Sequence, residues 1–271
     1  MIIFPQSFRV IFLIPAFIAT LSWPGGGIAS LHAQDALFGS KEETPEALIG
    51  ILYDLKQTQE LKATDMDPNR YFPLIDNFLS SGWDESVLSP FYRTTRALYT
   101  TQLMIPVISA DRAPEAFGVE KLVKPRLWVV HYKAQVLPPH AGKFRFAGYS
   151  DDFIALAING ETKLVGGRVG SGTMKKTKWK STEGQGLSVA NGRLTYSDWI
   201  ELDGTQPVDL DVIVGERPGG QFAALLYWQE EGKTYSSGKD GLILPPLQFA
   251  PGEIPDKVPH AEGFPLWKVV P

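Results

Sequence analysis

The chain of 271 residues carries 26 Lys and Arg against 30 Asp and Glu, a net charge of −4, and no cysteine. These figures exclude disulfides, thiolate metal sites and cysteine nucleophiles. They also disfavour nucleic acid as the main partner, because phosphate neutralisation needs clustered cations. With 44% apolar residues, 26 glycines and 21 prolines, the composition describes a globular chain of many short elements joined by turns rather than a helical bundle.

Residues 1–34 contain a single charge, Arg9, followed by the apolar run Val10 to Leu21. That run falls short of the roughly 20 residues a membrane helix needs, and it fits the h-region of a signal peptide. Cleavage after Ala33 is expected, so residues 1–33 are read as a signal peptide. The mature protein is then exported, to the periplasm, the envelope or the outside, with no membrane span. An uncleaved anchor is the alternative. Residues 34–47 read as a flexible lead-in. Tyr71, Leu74, Ile75, Phe78 and Leu79 recur at i, i+3, i+4, i+7 and i+8, one face of an amphipathic helix. Asp67-Pro68 starts it and Gly82 stops it.

From Leu127 the period becomes two. Trp128, Val130, Tyr132, Ala134 and Val136 share a face, and Phe144 and Phe146 repeat the pattern. Further strands are expected at Ile154 to Asn159, Leu194 to Leu202, Val208 to Val214 and Ala223 to Gln229. Asn159-Gly160 is a two-residue hairpin signal, since both residues tolerate positive φ. Short strands at this spacing describe an antiparallel sandwich or barrel. From Pro245 to Pro271 there are seven prolines, a density that no central strand accepts. Residues 233–271 are read as an irregular tail, partly docked through Phe249, Phe264, Leu266 and Trp267.

One stretch is more specific. Gly142 to Glu161 contains an aromatic strand, Ser150-Asp151-Asp152, an apolar strand and Asn159-Gly160. It resembles the signature of the PA14 domain. Gly50 to Leu55 is similar to that domain's opening strand, and Val212 to Glu216 with Ala223 to Trp228 to its closing pair. The resemblance covers 48–232, with 61–126 as a helical insertion. It implies a mainly β, PA14-like antiparallel barrel or sandwich of the kind found in exported proteins, often as a carbohydrate-binding module. In lectin-like members the consecutive aspartates are joined by a cis peptide and hold Ca²⁺, which in turn binds sugar hydroxyls. Hard carboxylate oxygens suit Ca²⁺, which takes six to eight of them.

Carried over, Asp151 and Asp152 are the expected metal ligands, with Glu216 a third carboxylate. The loop from Glu216 to Gln221 stands where the lectins place an Asn, which makes Gly219 and Gln221 candidate ligand-binding residues. Arg217 in that loop is equally able to neutralise the pair and displace the ion. Ser150-Asp151-Asp152 has a second reading, as short acidic side chains capping a tight turn. Trp199 is read as core, with lining of a sugar site as the minority role.

Catalysis has no support. Beyond the leader the histidines are His131, His140 and His260, with no pair at metal-ligand spacing. There is no Gly-x-Ser-x-Gly elbow, and adjacent aspartates are too close for a glycosidase pair. His131 is expected at a surface or interface. Gly166 to Gly172 lacks a Walker lysine and reads as a mobile loop. Lys175, Lys176, Lys178 and Lys180 around Trp179 form a basic stripe whose default reading is a solvated loop. The sequence thus describes an exported, non-catalytic binding module with a glycan as its expected partner. An envelope protein is the alternative, in a structural complex where the aspartates only cap a turn.

Overall fold

The computed structural model describes residues 37–170, 172–183, 192–238, 241–256 and 258–270; the expected signal peptide lies outside them. In chain order the strands are β1 (Leu48–Asp54), β2 (Tyr92–Arg93), β3 (Leu98–Thr100), β4 (Met104–Ser109), β5 (Trp128–Leu137), β6 (Gly142–Asp151), β7 (Phe153–Ile158) and β8 (Glu161–Gly167). They continue with β9 (Ser181–Glu183), β10 (Thr195–Ser197), β11 (Ile200–Leu202), β12 (Val208–Glu216), β13 (Gln221–Glu230), β14 (Ser237–Gly238), β15 (Gly241–Leu242) and β16 (Lys268–Val270). The helices are α1 (Pro68–Ser80) and α2 (Arg112–Ala116).

The strands pair antiparallel into two packed sheets, apart from β14 and β15, which pair only with each other. One runs β2-β1-β5-β12-β7-β8, with β16 also on β5 and β3 on β1; the other runs β4-β13-β6-β10-β9, with β11 on β6. Alternation dictates what lies between them. Trp128, Val130, Tyr132 and Val136 of β5 face Phe144 and Phe146 of β6 and Trp228 of β13 in one apolar core. The outer face of each sheet is also covered. β7 is buried along its whole length, with Ile154, Leu156 and Ile158 in the core. Its other face, Phe153, Ala155 and Ala157, packs under α1. The small alanines there let a helix approach the sheet.

α1 forms where its signals stand. The Asp67 carboxylate accepts from the Asn69 and Arg70 backbone N–H groups at 2.6 and 3.2 Å, satisfying donors that a helix start leaves open. Its buried face is Tyr71, Phe72, Ile75, Asp76, Phe78 and Leu79; Leu74 is only half-buried. Asp76 is the informative exception to apolar periodicity. Its carboxylate accepts from the backbone N–H groups of Lys175, Lys176 and Thr177 and from Thr177 Oγ1. The helix is thereby tied to the loop before β9.

Several expectations change. The 61–126 insertion is not simply helical, since it contributes β2, β3 and β4 to the two sheets. The described part of the lead-in is anchored: Phe38 is buried against Phe222 and Trp128, and its carbonyl accepts from Tyr132 Oη at 3.0 Å. The Leu194 to Leu202 strand is two short ones, β10 and β11, on either side of Asp198-Trp199. Ser197 Oγ marks the break, accepting from Phe146 N and donating to Asp198 O. The tail lies across the second sheet, burying Leu244 and Val258 against Ala147, Leu225 and Tyr227. It then turns inward, puts Trp267 into the core and ends in β16. Asn159 and Gly160 form the expected hairpin with φ of 52° and 72°.

Candidate functional site

Two chain crossings between the sheets lie side by side at one end of the sandwich. At the first, β6 of one sheet passes into β7 of the other through Asp151-Asp152, a cis peptide. At the second, β12 passes into β13 through Glu216 to Gly220. The register brings the crossings together: Gly215 pairs with Phe153, and Ala223 pairs with Asp151. Asp151, Asp152 and Glu216 therefore converge, although 64 positions separate Asp152 from Glu216 in the chain.

All three carboxyl groups are buried, Glu216 to 1% exposure. The Arg217 backbone N–H donates to Asp152 Oδ2 at 3.0 Å, and Gly219 N–H donates to Glu216 Oε1 at 2.7 Å. Glu216 Oε2 and Ser150 Oγ are buried with no partner. Burial, then the neighbouring Asp152 charge, pushes the Glu216 carboxyl up to about 8, against the Gly219 hydrogen bond. Burial also raises Asp151; the Arg168 guanidinium opposes this and the Asp152 charge adds to it. A proton on Glu216 would let Oε2 donate to the Asp152 carboxylate, the usual resolution when like charges share a dry site.

The arginine whose side chain reaches the acids is Arg168, not Arg217. Arg168 Nε lies 3.1 Å from Asp151 Oδ1, while the Arg217 guanidinium sits 5.2 Å from the centre of the Phe72 ring. Gly167 has φ of +95°, and a Cβ there would stand 2.2 Å from the Asp152 carbonyl oxygen. Only glycine lets β8 close on this corner. Gly166 and Gly167 are thus part of β8 rather than of a mobile loop. Gly219 is likewise set by φ of +94°. Gln221 is exposed at the start of β13, opposite Ser109. The α1 residues Tyr71 and Phe72 roof the site: Tyr71 Oη is 3.4 Å from the Trp128 carbonyl, and Phe72 packs edge-on to Phe153. Sequence reasoning missed Arg168, Tyr71 and Phe72, because each reaches the site through tertiary packing.

The structure does not bring Trp199 here. Ile200 pairs with Phe144, seven residues up β6 from Asp151, or roughly 23 Å at strand rise. Nor is Trp199 core: it is 39% exposed, and Arg145 is held between its ring and that of Tyr196 at 4.7 and 4.6 Å. His131 is buried rather than at the surface. Its Nε2 lies 2.7 Å from Asp211 Oδ1, and its ring packs on Phe78 and Trp83 beneath the insertion. A cavity of about 690 Å³ lies elsewhere, beside the tail, between Pro246, Ile254 and Phe264.

The donor set fits a hard cation in chemistry. It offers carboxylate oxygens only, one of them buried without a partner, and more negative charge than Arg168 offsets. Among the described residues, however, no three His, Asp or Glu side chains form a ready-made metal cage. A cation would draw on Asp151, Asp152 and Glu216 together with main-chain or ligand oxygens. Among the described residues no helix is long and apolar enough to cross a membrane.

No protein-family profile and no curated protein matches the chain. Solved structures similar to it include PA14 domains, the family that residues 142–161 resemble. The PA14 sugar-binding domain from an RTX adhesin has a TM-score of 0.43 at 12% identity, covering 70% of this chain and 93% of the other. An anti-sigma factor domain-containing protein from Clostridium clariflavum has a TM-score of 0.38 at 12% identity, covering 73% of this chain but 46% of the other. The epithelial adhesin 6 A domain from Candida glabrata, solved with Galb1-3GlcNAc, has a TM-score of 0.41 at 13% identity, covering 82% and 95%.

Proposed function

We propose that this chain is an exported, non-catalytic binding module whose recognition corner is Asp151, Asp152 and the 216–221 crossing. Calcium is the ion that corner takes, and carbohydrate is its ligand class. The observation that carries the reading is the convergence of three buried carboxyl groups at the two crossings. Burying charge of one sign is costly without a counter-charge, and a bound divalent cation is the compensation that also leaves positions open to ligand hydroxyls. Within the corner, Asp151 and Asp152 would be the principal ligands and Glu216 the third. Gly167 allows the close packing, Gly219 orients Glu216, and Tyr71 and Phe72 exclude water from the inner side.

One arrangement favours a second reading, in which the acids only lock the two crossings: Asp152 and Glu216 each accept a backbone N–H from the 217–219 turn. Thermal melting separates the two. A ligand that binds only the folded state at 100 times its dissociation constant stabilises by about 2.7 kcal/mol, a rise of roughly 5–10 °C for a domain of this size. Millimolar Ca²⁺ should give that rise, EDTA should reverse it, and Asp151→Asn with Asp152→Asn should abolish it. A melt indifferent to Ca²⁺ and EDTA establishes the locking role instead. A glycan array probed with Ca²⁺ present tests the carbohydrate class, and silence from folded protein overturns it. Export is checked by the N-terminus of the secreted or periplasmic form, which should begin at Gln34.

A further inference from the structure

From Thr162 to Thr182 the chain holds six cations and no acid, although acids outnumber cations over its whole length. The fold gives four of these cations a fixed arrangement. Met174 and Thr177 are buried and Trp179 is half-buried, while Lys175, Lys176, Lys178 and Lys180 are all exposed. The inward residues act as pegs. Met174 and Trp179 pack into the cluster under α1, Trp179 Nε1 donates to Ser181 Oγ at 3.0 Å, and Asp76 takes the backbone N–H groups of Lys175, Lys176 and Thr177. With the backbone tied inward, the lysines point out as one ridge. Lys176 Nζ reaches Asn77 Oδ1 at 3.1 Å, a neutral partner that leaves its charge unbalanced. The segment is the solvated loop expected from sequence, but its backbone is anchored rather than free.

The ridge leads directly from the acidic corner. Arg168 N–H donates to the Asp152 carbonyl at 2.6 Å, and the Arg168 side chain, 58% exposed, contacts Asp151. Asp76, which holds the lysine segment, lies one helical turn along α1 from Phe72, which touches Arg217. We propose that this ridge binds a polysaccharide bearing uronate or sulfate groups, extending across it from the corner. The choice of polysaccharide over other polyanions rests on the carbohydrate reading of that corner. The negative charge of the whole chain also disfavours nucleic acid as the partner. Because the pegs have already ordered the segment, binding loses little backbone freedom there.

The test is binding of heparin in EDTA at low and at physiological salt, with dextran as the neutral polymer and single-stranded DNA as the other polyanion. The wild-type chain should bind heparin, lose it as salt rises, and bind dextran and DNA more weakly. Lys175→Gln, Lys176→Gln, Lys178→Gln and Lys180→Gln combined should cost about tenfold or more in heparin affinity, the summed weight of four screened surface charges, with an unchanged melt. Wild-type protein that ignores heparin, or a quadruple variant that binds as well, overturns the proposal. DNA binding as tightly as heparin replaces the polysaccharide with nucleic acid. The Asp151→Asn, Asp152→Asn variant keeps the two ideas apart. Heparin binding that persists while the calcium response is absent from every form overturns the calcium reading alone. An intact calcium response with heparin unaffected by the lysine changes overturns the ridge alone.

Discussion

Replacing Asp76 with alanine removes the acceptor that ties α1 to the 175–177 segment. Four donors lose the carboxylate: three backbone N–H groups at 2.8–2.9 Å and Thr177 Oγ1 at 2.7 Å. Lys175 and Lys176 are exposed, so water can replace the carboxylate at their amides; Thr177 is buried, and its amide is left orphaned while its hydroxyl keeps the Asp76 carbonyl at 3.2 Å. An unsatisfied buried donor costs about 1–3 kcal/mol, and alanine returns about half a kcal/mol of helix propensity. The net loss is then about 1–2 kcal/mol, a fall of roughly 2–8 °C in Tm at this chain length. The acid limb provides a second signature. Burial alone would raise the Asp76 carboxyl, yet the hydrogen bonds from Lys176, Thr177 and Lys175 hold it below the usual carboxylate range. A depressed folded-state value gives stability that is present above the unfolded value and lost as pH falls through the folded one. Wild-type protein should therefore lose this increment below about pH 4, whereas Asp76→Asn, which keeps an acceptor oxygen but no charge, should be less stable at pH 7 and lose less in acid. The assay is urea and thermal melting of the three proteins from pH 3 to 7, with amide exchange at 175–177. Asp76→Ala melting within a degree of wild type, with exchange at those amides no faster, would show that the tie contributes nothing.

Other perturbations test other layers. Gly215→Ala places a Cβ 2.0 Å from Tyr71 Oη and 2.9 Å from the Trp128 carbonyl; overpacking of this kind costs about 1–3 kcal/mol, and adding Tyr71→Phe should recover part of it in a double-mutant melt. Equal losses with and without the hydroxyl would mean that Tyr71 does not press on β12. Phe38→Ala should cost about 3–5 kcal/mol in urea unfolding, since Phe38 stacks on Phe222 and meets Trp128 edge-on; a loss under 1 kcal/mol would restore the flexible lead-in. Trp83→Phe removes the Nε1 bond to Thr162 Oγ1 at 3.0 Å, and stability should fall by about 1–2 kcal/mol. No fall there would mean that water serves Thr162 equally well.

What could be read from residues alone was local. Alternation at Trp128 to Val136 and the Asn159-Gly160 turn each have a short-range cause, and strands and a hairpin stand there. The acidic corner was half legible: Asp151-Asp152 was visible as a motif and Glu216 as a third carboxylate in the loop before the last strand. Arg168 was hidden inside what looked like a glycine-rich loop. Tyr71 and Phe72 were visible only as helix face, because nothing local says which sheet edge a helix will cover. Asp76 shows the same limit. It breaks the apolar pattern of α1, and its burial makes sense only with a segment about a hundred residues away. Trp199 misled because its neighbours read as one strand; the break at Ser197 turns its ring outward onto Arg145.

β5 carries one more consequence, in the order of assembly. β1 covers its edge from Trp128 to Lys133, and β16 takes up the same edge from Gln135 to Leu137, both antiparallel to it. Ile49 of β1 and Val270 of β16 thus meet head to tail as if the two were one interrupted strand. The two segments are more than two hundred residues apart in sequence, so this edge closes only after the residues between them have been made. Non-local closure of this kind slows folding, because loop entropy is lost before the contacts repay it. Until Trp267 and Val269 arrive, the edge of β5 and the aromatic core behind it stay open, so a chain stopped short of β16 would present a bare strand to any neighbour able to pair with it.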